Sequence, residues 1–200
     1  RIPAEVGCYL SHLKAIKTFL QTGDSYGLIL EDDVILSSHL KEIIQKSFQV
    51  AQFDLLRLST VNSGRWTKTI PLLDPYHLGV ALSREKGAGA YVVNRKAAEK
   101  IRNQFIPMKI PFDHRFDLEW FDGFRTLGVS PSPVRQGGFR SQIQINIRSY
   151  YRPAIIRYWT VFPFRAFWEI SRFFFRLSSW GLLQIEKHLA KGNSLKTSRN

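Results

Sequence analysis

Three adjacent carboxylates, Glu31-Asp32-Asp33, follow directly on the apolar run Tyr26-Gly27-Leu28-Ile29-Leu30. Like charges this close repel, so a strand end favours them only where a cation compensates. Hard carboxylate oxygens suit Mg2+ or Mn2+, which take one or two carboxylates and complete their shell with water and substrate phosphates. In an open α/β sheet, ligands gather beyond the carboxyl ends of strands. Residues two apart in an extended chain also project to the same side. Glu31 and Asp33 are therefore candidate ligands of one ion, with Asp32 between them. The plain alternative is a solvated acidic turn. Two enzyme classes put acids here. An aspartyl-phosphate phosphatase needs a nucleophilic Asp directly after the strand, and Glu31 fits that position poorly. A nucleotide-sugar transferase uses the acids only to hold a metal–diphosphate, and there Glu can serve.

The elements around this turn alternate in type. Val6, Leu10, Leu13, Ile16 and Leu20 have helical spacing, with Glu5 in the first turn and Gly23 as a stop. Residues 26–30 read as a short buried strand. Ser37 or Ser38 is expected to cap a helix carrying Leu40, Ile43, Ile44, Phe48 and Val50. Residues 53–58, 77–82 and 88–93 read as strands, and Asn94 as the cap of a helix over 95–103. Thr60–Pro75, rich in Asn, Ser, Gly, Thr and Pro, reads as a long surface loop. Gly128–Val134 reads as an edge segment, because Pro131 and Pro133 exclude a central strand. The fold class is α/β.

Composition bounds the rest. The chain has 200 residues with 29 Lys+Arg against 16 Asp+Glu, a net charge of +13, and 44% hydrophobic residues. It is a folded chain of one domain plus an appendage, and disorder over its whole length is excluded. A single cysteine, Cys8, excludes an internal disulfide framework and a Cys-rich zinc site. The last quarter, 151–200, carries nine Lys/Arg, two Asp/Glu and 11 of the 27 aromatics. A catalytic domain over 1–150 and a basic, aromatic tail over 151–200 are expected, with the boundary near Tyr150–Pro153. Residue 1 is Arg, and the front of the natural protein is expected to be missing.

The segment Glu5-Val6-Gly7-Cys8-Tyr9-Leu10-Ser11-His12 precedes Leu28-Ile29-Leu30-Glu31-Asp32-Asp33-Val34. Further on stand Gly87-Ala88-Gly89-Ala90-Tyr91-Val92-Val93, Pro111-Phe112-Asp113 and Pro131-Ser132-Pro133-Val134-Arg135-Gln136. In this order, across roughly residues 3–145, they resemble glycosyltransferase family 25, the sugar transferases of lipopolysaccharide and lipooligosaccharide. The resemblance implies a GT-A-like nucleotide-sugar fold, a UDP-sugar donor (often UDP-galactose) and commonly Mn2+. It also implies a first nucleotide-binding strand, which is absent from this sequence.

By resemblance, Glu31, Asp32 and Asp33 hold the metal–diphosphate, with Asp33 the foremost direct ligand and Glu31 a second. Ser11 and His12 face the donor, although a His within a helix more often packs or hydrogen-bonds. An inverting transfer needs a base for the acceptor hydroxyl. Asp113 matches a family segment and is the candidate, or else it caps a helix beginning near Arg115. Asp117, Glu119 and Asp122 are fallback bases or a solvated face. Gly89, with Gly87, lets backbone approach the sugar or phosphate or makes a tight turn. Arg84 and Lys86 are candidate diphosphate contacts, and Arg135 and Gln136 lie where an acceptor binds. Cys8 reads as a small core residue.

In the tail, Pro163 suits a first helical turn. Arg165, Glu169, Arg172 and Arg176 form one narrow stripe, with Phe164, Phe167, Trp168, Phe174, Phe175 and Leu177 on the remaining circumference. The aromatics would sink into a membrane interface while the arginines meet anionic headgroups, or the stripe packs on the front domain. No charge-free stretch is long enough to span a membrane. Nucleic acid is not an expected partner, because no nucleic-acid motif is present. The resemblance, taken with the acid turn and the tail, implies a metal-assisted transfer of a sugar to a lipid-linked saccharide, expected in the cytoplasm and peripheral to the inner membrane. The alternatives are a phosphatase-like acid-cluster enzyme and a non-catalytic remnant that binds membrane or nucleic acid.

Overall fold

A computed structural model describes residues 3–62, 64–137 and 157–197. Its centre is a mixed sheet of short, mostly apolar strands. The strands are β1 (Tyr26–Leu30), β3 (Leu55–Arg57), β4 (Ile70–Leu73), β5 (Tyr76–Gly79), β6 (Ala90–Asn94) and β7 (Thr126–Ser130), in the order β1-β6-β3-β7-β5-β4. Burial is fullest in the interior strands β3 and β6. Among the described strands, β3 and β7 are the one parallel pair. A separate pair joins β2 (Val34–Leu36) to β8 (Val134–Gln136).

Alternation along the strands sends successive side chains to opposite faces. Tyr91, Val93 and Leu55 meet α1 (Pro3–Gln21), α3 (Arg95–Gln104) and α4 (Phe112–Phe116) in one apolar cluster. Ala90, Val92, Leu56, Leu127 and Val129 meet α2 (Leu40–Val50) in the other, which Leu183 of the long α6 (Arg157–Thr197) completes. Helices thus cover both faces. The short α5 (Glu119–Asp122) follows α4 and ends at Gly123, whose φ of 64° is the left-handed conformation a side chain would disfavour. Against β1, α1 comes so close that a Cβ at Gly27 would lie 2.7 Å from Phe19 Cγ.

Several local expectations hold. The Asn94 side chain accepts from the Ala97 N–H and caps α3, whose buried residues are Ala97, Ala98 and Ile101. Others are corrected. On α1 the buried stripe is Tyr9, His12, Leu13, Ile16 and Phe19, while Leu10 faces solvent. The residue capping α2 is His39, without a side-chain bond, and the Ser37 hydroxyl instead accepts from the His39 N–H. The expected loop over 60–75 contains β4, an edge strand that tolerates Pro71 with its side chain exposed. The expected edge segment over 128–134 begins as β7, a strand in the interior of the sheet that ends before Pro131. Pro163 lies inside α6, which begins at Arg157. The domain boundary expected near Tyr150–Pro153 falls outside the described residues.

Candidate active site

The acid turn is held from both sides. Glu31 follows β1, and its N–H donates to the Gly89 carbonyl at 2.8 Å. Asp32 and Asp33 form the turn, and Val34 opens β2 opposite Gln136. The Gly137 N–H donates to the Asp33 carbonyl at 2.6 Å. Gly89 stands close under the acids: a Cβ there would lie 3.3 Å from both Glu31 Oε2 and Ser59 Oγ. The turn therefore sits where the main sheet hands over to the β2–β8 pair.

Helix α1 brings two more groups to this point. Cys8 and His12 are one turn apart on the same face. The His12 ring is buried and stacks on Phe112 with centroids 4.2 Å apart and an interplanar angle of 6°. Its Nε2 lies 3.2 Å from Glu31 Oε1, and its Nδ1 lies 3.3 Å from the Tyr91 hydroxyl. A carboxylate can only accept. In the neutral ring, Nε2–H therefore donates to Glu31 and Nδ1 accepts from the Tyr91 O–H. Burial pushes the Cys8 thiol from 9.0 up to about 11, helped by the negative charges of Glu31, Asp113 and Asp33. Such a thiol stays protonated and does not serve as a nucleophile.

Asp113 follows Phe112 on α4, and the Phe112 ring stacks on His12, so α4 stands beside the acid turn. Asp113 is partly exposed and lies 4.0 Å from His114 Nε2. It is no cap: α4 begins after Pro111, without a side-chain cap. The His114 imidazole is held below its usual value by burial, with Arg84 and Lys86 adding positive charge that Asp113 opposes. Ser11 is exposed and lines a groove of about 630 Å3 that runs along α1 and β1 from Thr22 and Asp24 to Leu30. Gln136 and Arg135 come beside the turn as partners of Val34 and Ile35.

The donor set suits a hard divalent cation. Asp33 Oδ1 is buried with no hydrogen-bond partner. Among the described residues, no Lys or Arg pairs with Glu31, Asp32 or Asp33, and His12 is the one ion partner of Glu31. Residues 3–116 match the family described as glycosyltransferase family 25 (LPS biosynthesis protein). The chain belongs to that family. With it comes the class of a glycosyltransferase of lipopolysaccharide biosynthesis, with a nucleotide-sugar donor and a lipopolysaccharide acceptor. No curated protein matches the chain. The matched span takes in Ser11, His12, the acid turn, Gly89 and Asp113, and stops at the end of α4.

Immediately past that span lies a second acid group of opposite character. Asp117, Glu119 and Asp122 are buried, not a solvated face. Arg176 reaches them from α6: Nε donates to Glu119 Oε1 at 2.6 Å and Nη2 to Asp117 Oδ1 at 2.8 Å. Burial works against the Arg176 charge, yet Glu119 and Asp117 hold its guanidinium above the usual arginine value. Arg172 Nη2 lies 3.1 Å from Asp117 Oδ2, Arg57 Nη2 lies 3.8 Å from Asp117 Oδ1, and Arg115 Nη2 donates to Asp122 at 2.6 Å. Sequence reasoning missed this nexus, because Arg176 stands 57 residues from Glu119 and 59 from Asp117 and no local spacing signals those pairs.

Only the later part of the tail stripe, Arg172 and Arg176, therefore turns inward, while Arg165 and Glu169 stay exposed. Arg172 and Arg176 are each only 3% exposed and cannot meet headgroups. Wound at about 100° per residue, the half of α6 opposite them carries no Lys, Arg, Asp or Glu between residues 161 and 189. It presents Phe167, Ile170, Phe174, Leu177, Ile185 and Leu189 to solvent. Among the described residues, no helix is long and apolar enough to cross a membrane.

Proposed function

We propose that this chain transfers a sugar, galactose foremost, from a UDP-sugar to a lipid-linked lipopolysaccharide or lipooligosaccharide acceptor on a GT-A-like scaffold. The observation that carries the reading is the acid turn. Three carboxylates stand at the carboxyl end of β1 without an Arg or Lys among the described residues, in a chain of a sugar-transferase family. In this reading Asp33 and Glu31 hold Mn2+ or Mg2+, and Asp32 borders the diphosphate. A cation there would neutralise the charge developing on the departing diphosphate.

The chain's own residues do the rest. His12, clamped between Tyr91, Phe112 and Glu31, fixes the Glu31 carboxylate. The Gly89 carbonyl anchors the turn backbone, and the missing side chain leaves room for the donor. Ser11 lines the donor groove. Asp113, partly exposed and on the same side, takes the proton of the acceptor hydroxyl. Tyr26, Leu28 and Leu30 are exposed along β1, an edge strand beside the groove. That open edge is where the first strand implied by the resemblance would add.

The charge-free face of α6 lies on the cytoplasmic side of the inner membrane. Large aromatic and aliphatic side chains on one helix face favour the acyl boundary, where a lipid-linked acceptor is also found. The test is sugar transfer or UDP-sugar hydrolysis with and without Mn2+, together with titration of UDP against the chain. Mn2+-dependent turnover supports the reading. Absence of UDP binding in Mn2+ favours the non-catalytic remnant, and phosphate release from a simple phosphomonoester favours the phosphatase-like alternative.

A further inference from the structure

One group of side chains at the acid turn is mismatched to an oxygen-only metal site. Cys8 Sγ, a His12 ring nitrogen and a Glu31 carboxylate oxygen all lie within 4.8 Å of one another. Among the described residues, they are the metal-ligand trio that converges so closely. Sulfur, imidazole and one carboxylate make a borderline-soft donor set, which ranks Zn2+ and Co2+ above Mg2+ or Mn2+. We propose that Cys8, His12 and Glu31 form a binding site for a thiophilic divalent cation, Zn2+ first, that captures Glu31 from the neighbouring carboxylates.

The geometry supports three ligands and an open fourth position. Ligand atoms on a tetrahedral zinc at about 2.0–2.3 Å stand roughly 3.3–3.7 Å apart. The 3.2 Å between His12 Nε2 and Glu31 Oε1 already spans one such edge. Cys8 sits one α1 turn before His12 on the same helix face, and its sulfur lies within 4.8 Å of the other two ligand atoms. An outer partner is in place as well. Tyr91, buried on β6, holds Nδ1, which orients the ring and presents Nε2 to the cation. On binding, the Cys8 thiol proton leaves to solvent, and the imidazole proton moves from Nε2 to Nδ1, where the Tyr91 oxygen accepts it. The negative charges of Glu31, Asp33 and Asp113, which reach Cys8, favour a cation at this point and disfavour an unpaired thiolate.

This site stands whether or not the chain transfers sugar, so its test uses the cation alone. Co2+ is titrated into the protein and then displaced with Zn2+. The expected result is one Co2+ per chain with a thiolate-to-cobalt charge-transfer band, which reports Cys8 unambiguously because the chain has one cysteine. Cys8→Ser, with its far-ultraviolet circular dichroism unchanged, loses the band and weakens Zn2+ at least about tenfold. His12→Gln weakens Zn2+ by a similar factor. Cobalt that binds the wild-type chain without a sulfur band overturns the proposal even if neither variant folds. So does Zn2+ affinity that Cys8→Ser leaves unchanged.

Discussion

Two groups of carboxylates in this chain have the same composition of Asp and Glu and opposite surroundings. Asp117, Glu119 and Asp122 are buried and met by four arginines from three elements: Arg57 of β3, Arg115 of α4, and Arg172 and Arg176 of α6. Glu31, Asp32 and Asp33 sit at the sheet's end with one histidine contact. The first group carries its counter-charge within the polypeptide and pins α6 to the sheet. The second has no Lys or Arg partner among the described residues. What neutralises an acidic cluster thus tells more about its role than the acids themselves.

The largest effect that could break this contrast lies at Arg176. Arg176→Met leaves Glu119 without its bidentate partner inside the protein, and removing one side of a buried pair costs about 3–5 kcal/mol. Urea unfolding should show that loss, and a change under about 1 kcal/mol would mean the nexus is solvated. Next comes the acid-by-acid comparison. Asp117→Asn should destabilise the chain by about 2 kcal/mol or more, as a buried charged hydrogen-bond partner is lost. Asp33→Asn should stay within about 0.5 kcal/mol or stabilise slightly, because it relieves repulsion. Equal losses at both positions would erase the distinction.

A smaller effect concerns pH. The folded Cys8 thiol lies at about 11 against 9.0 when unperturbed. The folded state holds this proton more tightly, so the contribution to stability is whole below the unfolded value. It is lost as pH rises through the folded one. Alkylation of native Cys8 should stay slow at pH 9 and accelerate only toward pH 11. Cys8→Ser should flatten the fall of stability across that window. Fast alkylation at pH 8 would show that burial and the neighbouring acids do not hold the thiol protonated.

The smallest expected change is on the outer half of α6. Phe174→Ser with Ile170→Ser removes exposed side chains, so stability should move by no more than about 0.5 kcal/mol. Flotation with phospholipid vesicles should nonetheless fall severalfold. Undiminished flotation would detach α6 from the membrane reading. Deleting the helix is the wrong test, because Leu183 is fully buried in the sheet's core.

Local signals carried most of what was legible in the sequence. The β1 run and its acid turn, the Asn94 cap and the alternation of helices with strands each rest on residues a few positions apart. Proline misled twice, since Pro131 ends β7 without displacing it from the sheet interior, and Pro71 fits an edge strand. His12 was legible only through resemblance, and its clamp by Phe112 and Tyr91 joins residues 100 and 79 positions away. The orientation of the tail stripe was unreadable for the same reason. Helical periodicity puts Arg172 and Arg176 on one face, but only the distant Asp117 and Glu119 decide that this face turns inward.

The most direct test of the central claim is calorimetric titration of UDP against the wild-type chain and Asp33→Asn, each with and without Mn2+. Binding that requires Mn2+ and weakens at least about tenfold in Asp33→Asn, with thermal unfolding unchanged, is the predicted result. Equal UDP affinity in the two proteins, or binding indifferent to the metal, would contradict it.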